Sequence, residues 1–267
     1  KGVIIAPDRS TAKEAIKTMM IDKAFGKSGS RIVLEEYLEG PEVTVLAFCD
    51  GKRAVPMVSS RDHKRVFDNN KGPNTGGMGA VSPAPAYTPE IAEIVERDII
   101  QRTIDAMASE GAPFQGVLYT GLMITKNGPK VLEYNCRFGD PEAQVVIPRL
   151  KTDLVEVMQA VIDGDLTNAK IEWKSEVAVC VVIASGGYPG HYETGKIISG
   201  LDDAEKNGSI VFHAGTAEKD GKIITVGGRV LGVTALGKDV DEARKLAYES
   251  VSKIRFEGMH YRKDIGL

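Results

Sequence analysis

The segment LEYNCRFGDPE, residues 132–142, holds the most concentrated chemistry in this chain. It ends an apolar run. In a strand alternate side chains share a face, so Glu133 and Asn135 project to one side while Leu132 and Tyr134 project to the other. A carboxylate and an amide oxygen on one face suit magnesium, which prefers hard oxygens and completes its shell with water and nucleotide phosphates. Arg137 follows where a guanidinium can clamp a phosphate or carboxylate. Spacing alone leaves a polar strand end closed by a turn equally open, because two oxygen ligands make a weak motif.

A second cluster, Gly72-Pro73-Asn74-Thr75-Gly76-Gly77-Met78-Gly79, follows Arg61-Asp62-His63-Lys64-Arg65. Glycines let backbone amides approach an anion closely, and Lys64 and Arg65 add positive charge, so an anionic substrate would suit this region. The pattern is neither a Walker loop nor a dinucleotide fingerprint, and a mobile surface loop is the competing reading. His63 is a solitary loop histidine and is given no proton-transfer role. A third site, residues 33–42, is an apolar strand with an acidic exit. Its backbone could pair with an adenine edge, and Glu42 could accept from ribose hydroxyls. Read by itself it is only a strand with an acidic end. Arg229, in Gly227-Gly228-Arg229-Val230, suits a phosphate or carboxylate and is expected where the C-terminal domain closes on the substrate; a surface arginine after a turn is an equal alternative.

These groups need a scaffold, and the pattern predicts an α+β one. Residues 1–6 read as a glycine-led strand, and Thr11-x-x-Glu14 predicts a capping box before a helix to about Met20. Residues 32–36 have strand character. Residues 42–49 and 52–58 flank Asp50-Gly51, which predicts an antiparallel hairpin. Residues 60–88 predict a long functional loop. Ile91, Val95, Ile99 and Ile104 recur at near-helical spacing, predicting one amphipathic helix over 89–110. Residues 117–125 and 130–135 form strands joined through Asn127-Gly128. A helix over 153–162 and a polar linker over 164–174 lead to a second domain. There, strands at 177–184, 208–213, 222–226 and 229–235 precede a helix over 239–254.

At 267 residues the chain is long enough for two domains. Its 42% hydrophobic and 27% charged residues are ordinary for a globular protein. A net charge of -3, with both signs interspersed, gives no basic footprint and argues against nucleic acid. No apolar stretch of about 20 residues suggests a membrane helix, and no signal peptide is evident, so a cytoplasmic location is expected. Cys49, Cys136 and Cys180 cannot all pair and have no CxxC spacing; they read as reduced thiols. The start at Lys1, without methionine, predicts that an N-terminal part of the parent is missing.

Taken in order, the segments resemble the ATP-grasp superfamily, and more closely its glycinamide ribonucleotide synthetase family. The resemblance rests on RDHKR, GPNTGGMGA, LEYNCRFGDPE, FHAGTA, GGRVL and YRKDIG, spread over essentially the whole chain. It implies ATP-dependent condensation of glycine with 5-phosphoribosylamine through glycyl phosphate, giving glycinamide ribonucleotide, ADP and phosphate in purine biosynthesis. It implies an ATP-grasp domain over 1–168, incomplete at its N-terminus, and a small mixed C-terminal domain of antiparallel strands and a helix over 169–267. Glu35, Glu36, Tyr37 and Leu38 would form the adenine hinge, Glu42 would hold the ribose, and Lys1 would end a glycine-rich phosphate loop. Glu133 and Asn135 would bind magnesium, or manganese in its place. Asn74, Gly76 and Gly77 would lie near the phosphates and acyl group, Arg137 and Asp140 would flank the acyl phosphate, and Asp62 and Lys64 would help hold 5-phosphoribosylamine. Gly121 stands where many relatives place a further acidic metal ligand, implying leaner coordination. The missing upstream part implies that this chain alone has little or no ligase activity. The alternatives are another ATP-grasp enzyme, such as a biotin-dependent carboxylase, against which RDHKR and NTGGMG speak, or a non-catalytic nucleotide-binding module.

Overall fold

The computed structural model describes residues 2–267, in two units divided between Glu39 and Gly40. The phosphate-loop role expected for Lys1 lies outside the described residues. In the first unit, α1 (Arg9–Ile16) is capped three residues before the expected position: the Asp8 carboxylate accepts from the Thr11 amide at 2.8 Å, so Thr11 lies inside the first turn. The helix runs on into a π-helical turn, Lys17–Ile21. Residues 2–6 and 32–36, expected as strands, belong to no ladder, and Val33 and Leu34 are exposed. Strand character in a sequence becomes a strand only when a neighbouring chain segment takes its N–H and C=O groups, and no described residue of this unit does so.

The second unit opens with β1 (Glu42–Asp50) and β2 (Ala54–Pro56), an antiparallel hairpin. Its Asp50 Oδ1 accepts from the Lys52 and Arg53 amides at 3.0 and 2.7 Å, closing the turn. The segment 60–88, expected as a loop, instead carries four short strands: β3 (Arg61–Asp62), β4 (Arg65–Phe67), β5 (Lys71–Asn74) and β6 (Gly79–Ser82). Two to four residues are too few to show an alternating pattern, which is why the sequence hid them.

Thr88 caps the next helical run, α2 (Pro89–Ile94), a π-helical stretch (Val95–Gln101) and α3 (Arg102–Ser109). It is followed by β7 (Gln115–Thr125) and β8 (Gly128–Asn135), paired as the Asn-Gly turn predicted. Then come α4 (Ala143–Val146), α5 (Leu154–Asp163), capped by Asp153, and β9 (Val177–Ser185). Next are α6 (Leu201–Lys206), β10 (Ile210–His213), β11 (Thr216–Lys219), β12 (Lys222–Thr225) and β13 (Arg229–Gly237). Asp239 caps α7 (Val240–Val251), and β14 (Met259–His260) pairs with β9.

Every named strand pair is antiparallel, which with the helices makes the fold α+β. One sheet runs β2-β1-β7-β8 and a second β10-β13-β9-β6-β3. The first is covered on both faces. Val43, Val45, Ala47 and Cys49 of β1 pack towards Val95, Ile100 and Ile104 of the helical run, while Leu46 and Phe48 pack with Val145, Val157 and Val161. The second sheet packs on α7 through Val179, Val181, Val233, Ala243 and Ala247. Among the described residues no helix is long and apolar enough to cross a membrane. The three cysteines are free, and burial pushes the Cys49 and Cys180 thiols up to about 12.

One register detail departs from the expected alternation in β8. Gly121 faces Glu133 but Leu122 faces Val131, so Leu132 is the extra residue of a bulge. Val131 therefore joins the cluster around Leu122, and the Tyr134 hydroxyl lies 2.9 Å from Thr103 Oγ1 on α3.

Candidate functional site

Three adjacent strands carry the first half of the site. Thr44, Gly121 and Glu133 form one cross-strand row, and Leu46, Tyr119 and Asn135 the next. Glu133 and Asn135 thus share a face, and Asn135 Nδ2 donates to Glu133 Oε1 at 3.3 Å. Gly121 keeps the space beside the carboxylate open, since a Cβ there would stand 3.3 Å from Glu133 Cγ. Glu133 is exposed and Asn135 half-buried. Two hard oxygen donors on an accessible face fit a divalent cation that takes the rest of its shell from water and phosphate. Among the described residues no group of three or more His, Cys, Asp or Glu side chains could hold a metal.

Behind Tyr119 lies a buried carboxylate, Glu142, only 3% exposed. Its Oε1 accepts from the Tyr119 hydroxyl at 2.8 Å, and Thr44 Oγ1 lies 3.0 Å from that hydroxyl. Burial and the Glu142 charge push the Tyr119 phenol far above its ordinary range, so it remains a donor. Sequence reasoning missed Thr44, Tyr119 and Glu142 as site residues. The available signal was a polar threonine and a tyrosine inside apolar strands, and an acid directly after Asp140-Pro141.

The second half comes from β3 and the turns beyond it. Lys64 Nζ is ion-paired with Glu42. Burial alone would lower the lysine's pKa, but Glu42, Asp62 and Glu133 outweigh it and raise the pKa, keeping the ammonium charged beside the acidic face. Asp62 Oδ1 is buried without a hydrogen-bond partner. Burial, then the Glu142 charge, push its carboxyl well above the usual range, against the pull of Lys64 and Arg229.

The glycine loop is tied into the fold. The Gly76 amide donates to the Tyr188 hydroxyl at 3.0 Å and the Gly77 amide to Thr75 Oγ1 at 2.9 Å, so both have internal partners. Arg229 Nη1 donates to the carbonyls of Gly76 and Asp140, each at 2.8 Å, and lies 3.2 Å from Asp140 Oδ1. Its guanidinium therefore joins the glycine loop to the 132–142 segment.

Asn74 is exposed on β5 opposite Arg65. Arg137 is exposed and donates to its neighbour's carbonyl, Phe138 O, at 2.8 Å. Glu35, Glu36 and Tyr37 are exposed, and Leu38 half-buried, in the first unit.

His63, 6% exposed, lies beside this cluster with Nε2 3.3 Å from Arg61 Nη2. Burial, then the Arg61 and Arg262 charges, lower its pKa from 6.5 to about 4. The unfolded chain therefore binds the extra proton first as the solution is acidified, and stability falls between about pH 6.5 and pH 4. The expected loss is about 3 kcal/mol across that window. Asp62, raised in the fold, acts with the opposite sign, so the comparison is made within one site. Urea midpoints of wild type and His63→Gln at several pH values should differ in slope over this window, and parallel curves would refute the assignment.

A family model described as "Phosphoribosylglycinamide synthetase, ATP-grasp (A) domain" matches residues 1–143, and one for the synthetase's C domain matches residues 178–267. The phosphoribosylamine–glycine ligase of Vibrio vulnificus (strain CMCP6) is 52% identical over all of this chain and 62% of its own length. The trifunctional purine biosynthetic protein adenosine-3 of Gallus gallus is 53% identical over all of this chain and 27% of its own. Among solved structures, phosphoribosylamine–glycine ligase from Thermotoga maritima superposes with a TM-score of 0.74 at 38% identity, covering 86% of this chain and 57% of that one. The biotin carboxylase domain of Hydrogenobacter thermophilus 2-oxoglutarate carboxylase reaches 0.70 at 13% identity over 98% of this chain and 56% of that one, a likeness of fold alone.

Proposed function

Because the chain belongs to the phosphoribosylglycinamide synthetase family, and spans 62% of the Vibrio vulnificus ligase it matches, we propose that it forms part of an enzyme that joins glycine to 5-phosphoribosylamine at the expense of ATP. The observation that supports this reading is an exposed Glu133–Asn135 face on the same sheet as Glu42, whose carboxylate pairs with the Lys64 ammonium. An oxygen pair for a metal–nucleotide and a cation for an anionic substrate are what such a reaction needs side by side.

Glycine's carboxylate is a poor electrophile until one of its oxygens takes the γ-phosphoryl group. The amine then attacks the acyl carbon, the C–N bond forms, the C–O bond to phosphate breaks, and the amine sheds a proton. A divalent cation held by Glu133 and Asn135 would offset charge on the phosphates. Lys64 attracts the phosphate of the amine substrate. Asp62 offers the amine an oxygen with no internal partner. Arg229 holds Asp140 and the glycine loop together around the acyl group. No side-chain nucleophile is required; positioning and charge do the work. In the same reading Glu35, Glu36, Tyr37 and Leu38 take the adenine, Asn74 and Arg137 contact phosphate, and residues 1–168 and 169–267 are the ATP-binding and C-terminal parts of a cytoplasmic enzyme.

The test places this sequence in a polypeptide of its relatives' full length and follows ADP and glycinamide ribonucleotide, omitting each substrate in turn. ADP release that requires glycine and freshly generated 5-phosphoribosylamine is expected. ADP release driven by bicarbonate instead, or nucleotide binding with no turnover, would overturn the reading.

A further inference from the structure

Residues 259–267 reach back across the molecule to the β4–β5 hairpin. Arg262 is 1% exposed, yet it meets no ligand-facing group. Its Nε and Nη2 donate to Asp264 Oδ1 and Oδ2 at 2.7 and 2.8 Å, a two-pronged pair, and its Nη1 donates to Arg65 O at 3.0 Å and Asn70 Oδ1 at 3.1 Å. Asp264 Oδ2 also accepts from the Asn69 amide at 2.8 Å. Asn69 and Asn70 have φ of 57° and 53°, a left-handed turn that asparagine tolerates better than most non-glycine residues. Two further bonds fasten the hairpin: Lys263 N donates to Asp68 Oδ1 at 2.7 Å, and His260 Nε2 lies 2.9 Å from Val66 O.

The fastening continues towards the site. Arg65 is bonded to Lys64, whose carbonyl accepts from Thr75 N at 2.7 Å and Thr75 Oγ1 at 2.8 Å. Thr75 Oγ1 in turn accepts from Gly77 N. From Arg262 to Gly77 the path thus runs through one hydrogen-bonded step to Arg65, the Arg65–Lys64 peptide bond, and two hydrogen-bonded steps beyond Lys64.

We infer that Arg262 and Asp264 are positioning residues for the amine-substrate side of the site, holding the β4–β5 hairpin so that Lys64 and the Gly76–Gly77 loop stand in one place. The inference rests on the ligase reading above. A guanidinium forked onto a carboxylate fixes direction as well as distance, which a single charge would not.

The test uses Asp264→Asn, which keeps the shape and removes the charge, and Arg262→Lys, which keeps the charge and removes the fork, in the full-length polypeptide described above. Amide exchange over residues 65–75 should quicken roughly tenfold or more, while the amides of β9 and β13 stay as they are. The KM for 5-phosphoribosylamine should rise roughly tenfold, with kcat and the KM for ATP within about twofold of wild type. A lower kcat with unchanged KM would mark a merely structural role and overturn the inference, as would unchanged hairpin exchange. Should the wild type show no turnover, the ligase reading fails by itself, and hairpin exchange alone decides whether the fastening exists.

Discussion

Glu133→Ala should lower metal-dependent turnover in the full-length polypeptide by roughly 100-fold or more while leaving the fold nearly untouched. A metal ion's stabilisation of phosphoryl charge amounts to several kcal/mol, and each ~1.4 kcal/mol is a factor of ten in rate. Removing one of two protein oxygens at the Glu133–Asn135 face should forfeit much of that. Stability should hold within about 0.5 kcal/mol, because Glu133 is exposed, its neighbour across the sheet is Gly121, and the bond it gives up is the 3.3 Å one from Asn135 at an accessible face. Glu133→Gln separates charge from shape: it keeps one oxygen donor and the hydrogen-bonding reach to Asn135, and should recover part of the metal affinity but little of the rate. Initial rates over a magnesium titration, with thermal unfolding of each variant alongside, make the comparison. Wild-type rates and an unmoved magnesium midpoint in Glu133→Ala would remove the metal assignment.

Much of the scaffold was legible because local chemistry and long-range packing agree where turns are tight and strands are long. Asp50-Gly51 and Asn127-Gly128 announced hairpins that the structure contains, and Asp153 and Asp239 cap helices within a residue of their expected starts. Where partners are distant in sequence, the chain is silent. The bulge at Leu132 depends on how β7 and β8 align, and a two-residue period cannot announce an extra residue. The strands of 60–88 exist because β9 accepts β6 and residues 259–267 hold β4 and β5, contacts separated by 96 residues or more.

The site divides along the same line. Glu133 and Asn135 sit on one strand, so alternation alone placed them together. Glu142 became visible only when the Tyr119 hydroxyl was found 2.8 Å from its Oε1, across strand and turn. Arg229 was expected to meet a ligand; its bonds to the Gly76 and Asp140 carbonyls, from residues far apart in sequence, could not be read from the glycines beside it. Glycine-rich sequence suggested free amides at Gly76 and Gly77, whereas Tyr188 and Thr75 already accept them. A sequence displays donors but not which acceptors the fold will bring to them.

The glycine at 77 is instead required by crowding, and Gly77→Ala should destabilise the fold strongly. Its φ is +117°, which an L side chain rarely adopts, and a Cβ would fall 2.4 Å from Pro141 Cδ and 2.6 Å from Asp62 Oδ1. Neither neighbour can easily retreat: Pro141 is buried next to Glu142, and Asp62 is held in register opposite Ala80. Backbone strain of about 1–3 kcal/mol adds to an overpacking cost of about 1–3 kcal/mol, so a loss of roughly 2–6 kcal/mol is expected. The natural control is Gly208→Ala, where φ is +84° but a Cβ would meet nothing within 4 Å. That variant carries backbone strain alone and should lose only about 1–3 kcal/mol. Urea unfolding of both variants isolates the crowding as the difference between them. Activity should follow the same order, because relief of the clash must move Asp62 or Pro141, and with Pro141 the Asp140 carbonyl that Arg229 grips. Equal losses in the two variants would mean that the Asp62–Gly77–Pro141 contact is looser than its geometry states, and that the site around Asp62 is not held as tightly as its unpartnered oxygen implies.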